Sequence, residues 1–286
     1  MCLFGCHVIC QLKKSFFLRF VLDFFLYDVR KYMKQLLKFV LIGSVALGSC
    51  EMRSLFPEES IMSTRFPEKT EEYVIIVHGL ARTPRSMKKA EHFLRQRGYR
   101  VLNFGYPSTK YPIETLSEHY LKPFIEANCP DQTQRIHFLT HSMGGIVVRH
   151  YSKYVAPERV GRVVMLAPPN QGSEVVDRQR NWKIFRWILG PAGQQLGTDE
   201  AGLPMRMGAV DFELGVIAGD RSIELLHSWF ILPGADDGKV SVERAKIPGM
   251  KDFRLLHHTH TFIMQSDTVL EQVDHFFQTG RFDNGI

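Results

Sequence analysis

From Tyr73 onward the chain alternates short apolar runs rich in β-type residues with longer amphipathic stretches. Continuous apolar runs suit strands buried on both faces, whereas apolar positions recurring every third or fourth residue suit helices packed against them. On this pattern Tyr73 to His78, Arg100 to Phe104, Arg135 to Thr140, Arg162 to Ala167, Leu214 to Ala218 and Asp252 to Leu256 are predicted strands. Ser86 to Arg97, ended by Gly98, and Ile113 to Ala127, interrupted by Pro123, are predicted helices. A helical run starting near Gly144 and a closing helix near Phe262 to Phe277 complete the series. Strands alternating with helices predict an α/β domain, a mainly parallel central sheet covered by helices on both faces. One domain over 72–280, with a short tail at 281–286, accounts for the pattern.

The rhythm breaks between Pro168 and Glu213, a stretch longer than an ordinary crossover. Within it Trp182, Phe185 and Leu189 fall on one helical face. A long insertion in a compact domain is either a lid or pocket wall over a site, or a further helix contributing to the core. Arg178, Arg180, Lys183 and Arg186 cluster there, as a solvated face or one that meets lipid headgroups.

Upstream of this body the composition changes. The 286 residues carry 36 Lys/Arg and 30 Asp/Glu, a formal charge of +6. The first 49 hold seven of the bases and two of the acids, leaving 29 bases and 28 acids behind them. The basicity is therefore a property of the leader, and no basic stripe with interleaved aromatics remains to suggest nucleic acid. Met33, Lys34 and Lys38 precede the apolar run Phe39 to Leu47 and then Gly48-Ser49-Cys50. A positive start, an apolar stretch too short to span a bilayer and small residues at the end are the layout of a secretory signal, expected over 33–49. Leu47-Gly48-Ser49-Cys50 resembles the bacterial lipobox, which implies lipidation of Cys50, a tether over 50–71 and attachment to a membrane of the cell envelope. By the same resemblance, Glu51 after the cysteine implies the outer membrane, facing the periplasm. Residues 1–32 fit neither signal nor domain and are read as an upstream extension or a misassigned start. Cys129 is the one cysteine beyond Cys50, so no disulfide framework and no paired-cysteine zinc pattern is expected in the domain.

The body carries a constellation suited to acyl transfer. Thr140-His141-Ser142-Met143-Gly144-Gly145 lies between a predicted strand and a predicted helix. A sharp turn there lifts the Ser142 hydroxyl above the sheet edge, while small residues relieve crowding where backbone passes backbone. Thr140 stands where such turns commonly carry glycine, which tightens the fit. His78-Gly79-Leu80 follows the first strand, so the backbone N–H groups of Leu80 and Met143 are the expected oxyanion hole. A serine hydroxyl is a weak nucleophile at neutral pH and needs a base. His260, in the loop after the sixth strand, is the expected base, with His257 and His258 continuing that strand. The acid that orients it is expected in Pro233 to Val240. Asp237, directly before the turn glycine Gly238, is the first choice, Asp236 the second, and Asp220, just after the fifth strand, the third. His78 and His141 are expected to hydrogen-bond and pack, Cys129 to be structural, and the histidine cluster to bind no metal.

These segments, together with Ala167-Pro168-Pro169-Asn170-Gln171-Gly172-Ser173 and His260-Thr261-Phe262, resemble bacterial lipases and esterases of the α/β-hydrolase superfamily over residues 73–279. The order serine, acid, histidine is that of the superfamily. The resemblance implies a Ser142, Asp237, His260 triad, an oxyanion hole at Leu80 and Met143, and hydrolysis of carboxylic esters of lipid-like acyl groups through an acyl-enzyme, with no cofactor. A monomer is expected. The same residues would serve a thioesterase or an acyltransferase, and a hydrolase scaffold can also serve binding alone, so the fold by itself names no substrate.

Overall fold

The computed structural model describes residues 72–131, 134–181, 183–221, 237 and 240–285. The leader, Cys50 and the tether lie outside these residues, as do Trp182, Asp236 and the side chain of Phe185. Six strands, β1 (Tyr73–Val77), β2 (Arg100–Phe104), β3 (Ile136–His141), β4 (Val160–Leu166), β5 (Leu214–Gly219) and β6 (Asp252–Leu256), form one sheet in the order β2-β1-β3-β4-β5-β6. Every pairing is parallel. The chain steps from β1 outward to β2 and then back across β1 to β3, so the order reverses at the β1–β3 boundary. Loops leaving the carboxyl ends of two such strands diverge to opposite faces and leave a crevice between them.

The strands are buried on both faces, and their side chains divide by the two-residue period of a pleated strand. Ile75, Val77, Ile136 and Phe138 point to one side, where they pack with the helical run 113–128, here α2, and with α3 (Met143–Tyr154). Val74, Ile76 and Leu139 point to the other, against α1 (Lys88–Gln96) and the carboxyl-terminal helix Asp267–Thr279. That last helix starts later than its apolar pattern predicts. Ile263–Gln265 is a 3-10 turn, and Ser266 caps the α-helix by accepting a hydrogen bond from the Val269 N–H.

Pro123 does not interrupt α2 as expected. Ser117–Leu121 adopts a π-helical turn closed by Lys122 N–H to Ser117 O, and Lys122–Asn128 continues beyond it. Proline inside an α-helix lacks an N–H and crowds the carbonyl four residues earlier. A widened turn directly before it accommodates both defects without ending the helix.

The long crossover between β4 and β5 contains α4 (Glu174–Gln179), α5 (Lys183–Gln194) and α6 (Leu203–Met207). Gly190, at φ 63°, bends α5 just beyond Leu189, the last residue of the expected apolar face. Polar bonds fasten the crossover to the domain. Gln195 Oε1 accepts from the Ile113 N–H at 2.7 Å while its Nε2 donates to Glu114 at 2.6 Å, engaging the start of α2. Of the four basic side chains clustered here, Arg180 pairs with Asp199, and Arg178, Lys183 and Arg186 are exposed.

Arg149 of α3 is the deepest of these fastenings. Its guanidinium is 2% exposed and donates to the carbonyls of Asn170 (2.8 Å), Pro204 (3.0 Å) and Gly208 (2.8 Å). It thereby joins the segment after β4 and both ends of α6 to the central helix. Removing it leaves buried carbonyls without a donor, each a penalty of about 1–3 kcal/mol. Arg149→Met is expected to lower the unfolding free energy by about 3 kcal/mol in a urea titration. A loss below about 1 kcal/mol would mean the crossover is held by apolar packing instead.

Candidate active site

Ser142 separates β3 from α3 and takes φ 51° and ψ −125°, a backbone conformation that side chains other than glycine rarely adopt. The adjoining glycines explain how it fits. A Cβ on Gly144 would strike the Val77 and His78 carbonyls, the latter at 2.8 Å. A Cβ on Gly145 would lie 2.9 Å from Met165 Sδ and 3.2 Å from Thr140 Oγ1. The start of α3 therefore slides under the end of β1 and against β4. The second glycine opens the space that Thr140 takes, which answers the missing glycine at position 140.

The turn after β1 closes on the same place. Gly79 lies against Ser142, with space for a Cβ ending 3.1 Å from Ser142 Cβ. Leu80, partly buried, packs beside Gly193 of α5. Met143 is fully buried as the first residue of α3, with its N–H at the helix end where backbone donors gather. His78 is fully buried, stacked on Tyr106 at 4.3 Å, with Nδ1 2.9 Å from Gly79 O. Burial pushes its imidazole below the usual histidine range, more strongly than the Gly79 carbonyl raises it, so it stands neutral at pH 7.

His260, beyond β6, and Asp237, beyond β5, come together. His260 Nδ1 is 2.9 Å from Asp237 Oδ2, with the two residues 5% and 3% exposed. The His260 N–H also donates to Asp237 O at 2.9 Å. The other carboxylate oxygen, Asp237 Oδ1, accepts from the Val240 N–H at 2.9 Å. The acid is thus held on both oxygens and meets the imidazole at its Nδ1 edge, with Nε2 on the far side of the ring. Asp220 is engaged elsewhere. β6 ends at Leu256, and His257, beyond it and exposed, pairs with Asp220 at 2.9 Å.

His141, the last residue of β3, touches both halves of the site. Its Nε2 is 2.9 Å from His260 O, its ring centroid 4.9 Å from that of His260, and Gly79 leaves room for its Nδ1 edge. Among the described residues no group of three or more His, Cys, Asp or Glu could hold a metal ion. Cys129 is buried away from this region, and burial pushes its thiol up to about 11, which keeps it unreactive.

Two supporting residues escaped the sequence reading. Tyr106 OH donates to His78 O at 2.6 Å, and Ser108 Oγ accepts from the Ala81 N–H at 3.1 Å. Both lie in the Gly105-Tyr106-Pro107-Ser108 loop that follows β2, and together they brace the turn after β1. The available signal was position, since a loop at the carboxyl end of a parallel strand beside the switch point is where a site is built.

Residues 74–267 match the model of the alpha/beta hydrolase family. No curated protein matches the chain. Among solved structures it is similar to the mature form of a lipase from Bacillus licheniformis, BlEst2, with a TM-score of 0.57 and 17% identity, covering 76% of this chain and 94% of that one. It is also similar to phospholipase PlaB from Legionella pneumophila in complex with thio-NAD, with a TM-score of 0.51 and 18% identity, covering 61% of this chain and 44% of that one. At such identity these likenesses are of fold. The family match spans well over half of the chain, through β1, the Ser142 turn and the loop bearing His260, and this chain therefore belongs to the alpha/beta hydrolase family.

Proposed function

We propose that the protein is a serine ester hydrolase acting on carboxylic esters of lipid-like acyl groups. The observation that carries this reading is the buried His260–Asp237 pair, held at 2.9 Å, on the same edge of the sheet as a serine in a strained strand-to-helix turn. The lipase and phospholipase folds among its neighbours support the substrate class.

The chemistry follows from the atoms in place. Ser142 Oγ attacks the ester carbonyl carbon while His260 Nε2 takes its proton. The carbonyl oxygen becomes an oxyanion, facing the backbone N–H groups of Leu80 and Met143. Asp237 stabilises the imidazolium and holds the tautomer with Nε2 free at the start of each cycle, remaining ionised itself. Collapse of the tetrahedral intermediate breaks the bond to the alcohol, which leaves with the proton from His260. Water then attacks the acyl-Ser142 ester, giving its proton to His260, and the same sequence returns the carboxylic acid and free serine.

Ser142→Ala is expected to reduce kcat on short p-nitrophenyl esters by about 10³-fold or more, and Asp237→Asn by about 10²- to 10⁴-fold. Asp220→Asn is expected to stay within about twofold of the parent. Full turnover without the Ser142 hydroxyl would refute the mechanism, and equal losses at Asp220 and Asp237 would refute the assignment of the acid. Chain-length preference on a panel of graded esters and thioesters separates a lipase from an esterase or thioesterase.

Lipidation of Cys50 in the cell envelope belongs to the same proposal, supported by the lipobox-like Leu47 to Cys50 behind a basic and apolar leader. Several acyl chains on one cysteine give stable anchoring where a single chain gives only marginal binding. Labelled palmitate is expected to enter the full-length protein in a bacterial host and to be lost in Cys50→Ala. Equal labelling of the two would remove the anchor.

A further inference from the structure

We propose that His141 is a positioning residue that sets the distance between nucleophile and base. The inference rests on the serine hydrolase reading above and concerns how its parts are held. Ser142 follows β3 and His260 follows β6, and in the sheet β4 and β5 lie between them. With neighbouring strands about 4.8 Å apart, the roots of the two loops are roughly 14 Å apart. Each loop is well fixed within its own neighbourhood. The Ser142 turn is held by Gly144 and Gly145 against β1 and β4, and His260 by two bonds to Asp237. Neither set of contacts fixes one loop relative to the other.

His141 spans that gap. Its backbone adjoins Ser142, and its side chain, 1% exposed, reaches the loop beyond β6 with Nε2 at 2.9 Å from His260 O. A carbonyl only accepts, so Nε2 carries the proton and donates. The bond completes a three-point hold on His260, whose N–H and Nδ1 are engaged by Asp237 and whose carbonyl is engaged by His141. The tilt of 57° between the imidazoles at 4.9 Å keeps the His141 ring packed against that of His260. On its other edge His141 Nδ1 borders Gly79, where a Cβ would come within 2.8 Å. One buried ring therefore registers the nucleophile, the turn that bears Leu80 and the base against each other. Its Nε2 is committed to the His260 carbonyl, so it acts through His260 and not as a second base.

The test uses substitutions that differ in this donor. Glutamine places an amide N–H at about the reach of imidazole Nε2, whereas leucine fills the space without a donor. In the full-length protein His141→Leu is expected to lower kcat by about 10- to 100-fold with KM within about twofold, because misplacement of reacting groups by about 1 Å has that effect on rate. Labelling of Ser142 by a fluorophosphonate should slow in parallel, and His141→Gln should recover most of both rates. If His141→Leu does not fold, His141→Phe keeps a planar ring, removes the donor and takes its place. A folded donorless variant with kcat within twofold of the parent would overturn the proposal, as would a folded glutamine variant as slow as the donorless one. Activity that survives Ser142→Ala would instead overturn the serine mechanism, so the two failures are distinguishable.

Discussion

At Ser142 the main chain leaves β3 with φ 51° and enters α3 within one residue, and the remainder of the site is arranged around that bend. A non-glycine residue held in such a conformation costs on the order of 1–3 kcal/mol and persists only where its surroundings leave no alternative. Here those surroundings can be named. Fully buried Met143 and Ile146 anchor the start of α3 in the core, and Gly144 allows that helix to pass directly beneath the carbonyls of Val77 and His78. The approach is closest where β1 and β3 lie side by side, so the strain, the helix end and the turn carrying Leu80 coincide at the switch in strand order.

The second half of the site depends on burial. Asp237 and His260 are nearly inaccessible to solvent, yet the pair is satisfied from several sides, by Val240 N–H, by the His260 backbone and by His141. In such surroundings an unmatched polar group is costly and a matched one is rigid. The same logic runs through His78, Tyr106 and Ser108, which brace the turn after β1 from the loop after β2. Residues that follow β1, β2, β5 and β6 are thereby held by side chains that need not touch a substrate.

Much of this was legible in sequence, and the reasons differ by residue. The six strands were readable because burial on both faces gives unbroken apolar runs, and their bounds move by no more than two residues. The place of Ser142 between a strand and a helix was readable because its glycine-rich context is local, and Asp237 stands ahead of Asp236 and Asp220 in the sequence because it directly precedes Gly238. What escaped was non-local or compensatory. The carbonyl partner of His141 lies 119 residues away, and Tyr106 reaches a backbone carbonyl 28 residues before it. Neither bond leaves a trace in local spacing. The π turn before Pro123 and the bend at Gly190 are backbone solutions to local misfit, for which a hydrophobic period carries no information.

In the proposed mechanism Ser142, in its strained turn, is the group that carries the acyl chain. Mixing the enzyme with an excess of a p-nitrophenyl ester, quenching in acid within the first turnover and mapping the acyl mass by peptide spectrometry tests it directly. One acyl group per chain is expected, on the peptide bearing Ser142, accompanied by a burst of nitrophenol of equal amount when deacylation is slow. Acylation at another residue, or a nitrophenol burst with Ser142 unmodified, would contradict it.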